Sequence, residues 1–138
     1  MGTRSLTLIS DSNGKEILVM YRQYDGYPSG LGLELAQFLE PYTITNGISD
    51  TSTQTANGMG CLAAQMVKHF KECVGNIYLY PASTRNVGEE FTYAISVTEG
   101  ELRITIREVV WVHDEHDEYR KIFEGTPTEM IAFCEENK

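Results

Sequence analysis

Residues 21–32 read Tyr21-Arg22-Gln23-Tyr24-Asp25-Gly26-Tyr27-Pro28-Ser29-Gly30-Leu31-Gly32, and this passage from a strand into a helix decides how the chain folds. Four glycine or proline positions in twelve demand special backbone geometry, while three tyrosines, an arginine and an aspartate place polar and aromatic groups at the bend. Upstream, Glu16–Gln23 carries Ile17, Leu18, Val19 and Met20 in succession, which predicts a strand buried on both faces at its centre. Before it, Leu6 and Leu8 alternate with Ser5, Thr7 and Ser10, a period of two that predicts a first strand. Asp11-Ser12-Asn13-Gly14 supplies the turn that makes the two strands a hairpin.

Downstream, Leu31, Leu35, Phe38 and Leu39 form one apolar stripe, so a helix is expected to start near Ser29 or Gly30 and to stop before Pro41. The threonine- and serine-rich segment 43–56 reads as a long polar connection. Asn57-Gly58-Met59-Gly60 opens a second helix, in which Met59, Leu62, Ala63, Met66, Val67, Phe70 and Val74 recur at spacings of three and four, with Gly75 as its stop. Strands are expected at 76–80, 91–98, 101–112 and 119–123, the third of them with a bulge where its alternation slips. Thr126-Pro127-Thr128-Glu129 combines a capping box with proline at the first helical position and predicts a last helix to about Glu136. The expectation is one α+β domain over residues 1–138: a mainly antiparallel sheet of about six strands, two central helices on one face and a short C-terminal helix.

The 138 residues carry a net charge of −9, unevenly spread. From Val87 to Lys138 there are 13 acidic and 5 basic residues; from Asn57 to Arg85 there are 1 and 3. An acidic surface repels phosphate backbones, so direct nucleic-acid binding is not expected. Three cysteines, Cys61, Cys73 and Cys134, have no metal-binding spacing and fit reduced thiols in a cytoplasmic setting. No apolar run is long enough for a signal peptide or a membrane span.

Two glycine loops each feed a helix N-terminus, where unpaired N–H groups and a partial positive charge can hold an anion. If both openings faced one cleft, Arg22, Tyr24, Asp25, Tyr27, Ser29, Gly30, Asn57 and Gly58 would be the contacts of a small anionic ligand. Arg22 would supply a bidentate donor and the tyrosines surfaces for a nucleotide base. The same residues also serve as ordinary tight-turn chemistry. Neither loop matches a P-loop or a dinucleotide fingerprint, and no cofactor is expected. Cys61 in the first turn of the second helix is a conceivable nucleophile without an obvious base, and a small buried residue explains it as well. The run His113-Asp114-Glu115-His116-Asp117-Glu118 is dense in metal-ligand types, though a solvated hairpin tip accounts for each of them.

The segments Met1–Thr7, Tyr21–Gly30 and Asn57–Cys61 resemble those of small uncharacterised proteins encoded by bacteriophages and prokaryotic mobile elements. The likeness implies an accessory role that blunts host defence and brings no activity or assigned residue. Three functional expectations stand together. The first is a non-enzymatic protein that sequesters a nucleotide-like anion; the second, an acidic interaction protein that inhibits a host nucleic-acid-binding or defence protein; the third, a small hydrolase. A homodimer is compatible with each.

Overall fold

A computed structural model of the chain describes residues 2–45, 54–112 and 116–137. The predicted hairpin is β1 (Ser5–Ser10) and β2 (Glu16–Arg22), antiparallel with Leu6 opposite Tyr21 and Leu8 opposite Val19. Asp11 Oδ1 closes the turn by accepting from the N–H groups of Asn13 and Lys15 at 2.9 Å each, and Gly14 takes the left-handed φ of +83°. After β2 comes a π-helical turn (Pro28–Gly32), then α1 (Leu33–Leu39), β3 (Thr43–Thr45), β4 (Thr55–Asn57) and α2 (Gly58–Phe70). The chain continues through β5 (Ile77–Pro81), β6 (Phe91–Thr98), β7 (Glu101–Val112), β8 (His116–Gly125) and α3 (Pro127–Glu136).

Six strands form one sheet in the order β5-β2-β1-β6-β7-β8. Every neighbouring pair is antiparallel except β1 and β6, which run parallel with Leu6 opposite Thr92 and Leu8 opposite Ala94. The fold is α+β, as expected. One face of the sheet presents Ile9, Met20, Tyr93, Ile95, Ile104 and Ile106 to a buried cluster that draws residues from all three helices. Leu6 and Leu8 instead face the other side, where Val19, Tyr21 and Val87 complete a second, smaller core. The helix-facing side of β1 therefore carries Ser5 and Thr7, both fully buried, with hydroxyl oxygens that have no partner among the described residues.

Several expected boundaries move for identifiable reasons. The first helix begins as a π-helical turn with Pro28 in first position and no side-chain cap, so Ser29 does not serve as one. The second helix stops at Phe70 rather than near Gly75, because the Asn76 side chain takes over the C-terminus: Asn76 Nδ2 donates to Phe70 O at 2.8 Å. Val74, expected on the apolar stripe, is fully exposed. Gly75 does turn the chain, with φ +90°. The ends of the predicted polar connection pair as a parallel two-stranded sheet, Thr43 with Thr55 and Ile44 with Ala56; residues 46–53 lie outside the described residues. The register shift between Ile106 and Arg107 places the extra residue, Ile122, in β8 rather than in β7, where the slip in alternation suggested a bulge; the capping box of Thr126 and Glu129 closes in both directions.

The back face is covered by the connection between β5 and β6. Arg85 grips Glu16 at the start of β2 with two bonds, 2.8 and 3.2 Å, and Ser83 N–H donates to the same carboxylate. Further on, buried Glu89 accepts from Asn86 N–H at 3.1 Å, Val87 N–H at 2.8 Å and Tyr119 Oη at 2.7 Å. Burial, then this bond to a carboxylate, pushes the Tyr119 hydroxyl up to about 12. The Arg85 bonds hold the Glu16 carboxyl below its ordinary range despite partial burial. A carboxyl lowered on folding stabilises above its unfolded value and loses that contribution as pH falls through the folded value. Glu16→Gln is expected to cost about 1–2 kcal/mol near neutral pH. In urea titrations the gap between the two proteins should close as acid protonates Glu16; a gap independent of pH would show that the carboxylate charge is not what holds the loop.

Candidate functional site

Arg22 ends β2, opposite Ile77, and its side chain is 9% exposed. Nε donates to Tyr24 O at 2.9 Å, and the guanidinium carbon lies 5.5 Å from the centre of the Tyr24 ring. Nη1 stands 3.5 Å from Glu34 Oε1, a carboxylate that is half exposed. Tyr24 and Tyr27 are themselves 38% and 40% exposed. The geometry that collects these groups follows from the turn residues. Asp25 takes φ +56°, which an aspartate tolerates, and its carbonyl accepts from Leu31 N–H at 2.8 Å. Gly30 leaves room for that approach, since a Cβ there would lie 2.5 Å from Asp25 O. Tyr93, buried beneath the loop, donates its hydroxyl to Gly26 O at 2.6 Å; burial holds that hydroxyl well above its ordinary value.

The loop amides that were expected to face an anion are consumed internally. Gly26 N–H donates to Thr3 O, Gly30 N–H to Tyr27 O and Leu31 N–H to Asp25 O. Ser29 is half-buried beside them, and Tyr27 Oη turns back to Asp25 Oδ1 at 3.3 Å. At this corner the charged donor is Arg22.

Asn57 and Gly58 are elsewhere, which corrects the expectation of a single cleft. They open α2 beside Asp11 and Ser12, the turn that precedes β2, whereas Arg22 closes β2. Six residue steps at about 3.3 Å each put the two corners roughly 20 Å apart. It is the C-terminal end of α2 that meets the arginine corner, through Cys73 Sγ at 3.9 Å from Tyr24 Oη and Asn76 O accepting from Gln23 N–H. The α2 N-terminus opens on a cleft of about 440 Å³ lined by Asp11, Thr45, Gly58, Met59, Val97 and Glu99. A neighbouring cleft of about 410 Å³ shares Glu99 and adds Glu40, Glu101 and Thr128. Carboxylates around a helix N-terminus already answer its partial charge, so this end of the molecule does not favour an anion.

Sequence reasoning missed Glu34 at the arginine corner and Lys71 on the neighbouring strand edge. Lys71 Nζ donates to Ile77 O at 2.8 Å and sits 5.7 Å from the centre of the Tyr78 ring. Tyr78, 48% exposed, lies on the other face of the sheet against Tyr21, and Glu34 is the ion-pair partner of Arg22. The excess of basic residues between Asn57 and Arg85 was the one signal pointing there. Cys61 is half-buried and its sulfur lies 3.6 Å from the Gln65 amide nitrogen, a group that cannot take a proton from it. His69 stacks on Phe38 and Phe70 at 4.6 and 4.8 Å. The residues His113, Asp114 and Glu115 of the acidic run lie outside the described residues; among the described residues no group of three metal-ligating side chains gathers, and no helix is long and apolar enough to cross a membrane. No protein-family model, curated protein or solved structure matches the chain.

The three thiols should separate by reactivity. Cys73 is exposed, Cys61 half-buried, and Cys134 buried with its thiol pushed by desolvation up to about 11. Titration with an aromatic disulfide reagent in native buffer is expected to modify Cys73 first and Cys134 only on unfolding. Equal rates for Cys73 and Cys134 would contradict the packing of α3 on the core.

Proposed function

We propose that the protein is a non-enzymatic binding protein that holds a nucleotide-like anion at the Arg22 corner, rather than in a cleft shared with Asn57 and Gly58. The observation that carries this reading is the state of the Arg22 fork. Among the described residues, this guanidinium with five donors makes one hydrogen bond, to Tyr24 O, and a 3.5 Å ion pair to a carboxylate that water reaches. The side chain is nevertheless held in place by burial of its stem and by the Tyr24 ring, so its orientation is set before a ligand arrives. A phosphate or carboxylate would displace Glu34 and take up the fork in bidentate fashion, and the exposed Tyr24 and Tyr27 rings offer stacking area for a base. In the context of small phage-encoded accessory proteins, such a site would trap a nucleotide signal of host defence.

A second reading has an observation of its own. Asp11, Glu40, Glu99 and Glu101 line the two adjoining clefts at the opposite end of the sheet. A basic segment of a host protein would suit them, with binding that weakens steeply in salt.

Calorimetric titration with pyrophosphate and a nucleotide panel separates the two. Arg22→Ala should weaken the best ligand by about ten-fold or more, the loss of a charge-assisted hydrogen bond. Glu34→Gln, which removes the competing carboxylate, should strengthen it by about two- to five-fold. Insensitivity to both substitutions would contradict the Arg22 reading.

A further inference from the structure

The two edges of the six-stranded sheet differ in character. Along β8 the exposed positions include Glu118, Arg120, Lys121 and Glu124, charges of both signs that discourage pairing with another chain. The β5 edge has no charged residue between Asn76 and Ser83 and exposes Tyr78 at 48% and Leu79 at 54%. Its backbone is the more informative part. Gln23 N–H bonds Asn76 O, and antiparallel ladders alternate hydrogen-bonded with non-bonded pairs. Tyr78 and Tyr80 therefore direct their main-chain groups inward to β2, and Ile77, Leu79 and Pro81 direct theirs outward. Two of these outward positions are already served. Ile77 O accepts from Lys71 Nζ at 2.8 Å; Pro81 has no N–H, and its oxygen accepts from Thr84 N–H at 3.2 Å and Thr84 Oγ1 at 2.7 Å. At Leu79, in the middle, both the N–H and the C=O face outward with no bond among the described residues.

We propose that β5 pairs antiparallel with β5 of a second copy about a twofold axis at Leu79, joining two sheets into one of twelve strands. This proposal is independent of the anion reading. The occupant is argued from the pattern of served and unserved groups. A twofold at Leu79 sets Leu79 opposite its own copy, exchanging two N–H to O bonds, and sets Ile77 opposite Pro81. The missing proline N–H is then matched by the Ile77 oxygen that Lys71 has already satisfied, and, with the Pro81 carbonyl taken by Thr84, the Leu79 pair carries the ladder. An unrelated strand would meet that asymmetry as a defect; a second copy meets it as its own complement. The axis also brings the exposed Leu79 side chains together on one face and Tyr78 beside Tyr80 on the other. Charge agrees, since in a chain of net −9 the segment from Asn57 to Arg85 carries 1 acidic and 3 basic residues, so the copies meet where they repel least.

Sedimentation equilibrium at micromolar concentration is expected to give twice the 15.5 kDa chain mass. Leu79→Lys, a change at an exposed position, should return the mass to that of one chain with the circular dichroism spectrum unchanged. As a test that does not rely on that variant, Leu79→Cys in a Cys73→Ser background should form a disulfide-linked dimer under mild oxidation, whereas Arg120→Cys in the same background should not. A single-chain mass for the unaltered protein throughout, or a dimer that survives Leu79→Lys and leaves Leu79→Cys unlinked, would overturn the proposal.

Discussion

The parallel pairing of β1 with β6 is the constraint on which the rest of the architecture depends. Strands that run the same way cannot be joined by a tight turn, so the chain between them must cross over. Here it does so in two stages. Between β2 and β5 it leaves the sheet and places the π-helical turn, α1 and α2 over one face. Between β5 and β6 it passes over the other face, where Arg85 on Glu16 and the bonds to Glu89 hold it down. The first excursion builds the main core. The second shields Leu6, Leu8 and Val19, which would otherwise be an exposed apolar stripe.

Much of this was legible in the sequence where the signal was local. The hairpin at Asp11–Gly14, the double-sided burial of β2 and the capping box of α3 each follow from a few adjacent residues, and each is present. What sequence could not show is long-range. Leu6 and Leu8 alternate as a core strand should, but alternation does not say which side the helices take; here they take the side of Ser5, Thr7 and Ile9. Likewise the apolar periodicity of α2 runs on to Val74, and only the Asn76 side chain, arriving from the start of β5, ends the helix at Phe70.

The same division holds for the candidate site. Arg22, Tyr24 and Tyr27 stand out because arginine and tyrosine are unusual in so glycine-rich a bend, and the structure does gather them with exposed rings. Asn57 and Gly58 look equivalent in sequence, as a glycine loop before a helix. The direction in which α2 crosses the sheet decides otherwise, bringing its C-terminus to the arginine and its N-terminus to Asp11 and Glu99. Glu34 joins the corner, and Lys71 the strand edge beside it, through pairings no local pattern encodes. The same axis separates Arg22 and Lys71 at one end of the sheet from Asp11, Glu40, Glu99 and Glu101 around the clefts at the other.

That polarity is the central claim, and it can be read directly from backbone amide shifts as pyrophosphate is added to isotopically labelled protein. Perturbations confined to residues 22–34 and 71–78 are the predicted result. Shifts centred on Gly58 and Gly60, at the acidic end, would contradict it.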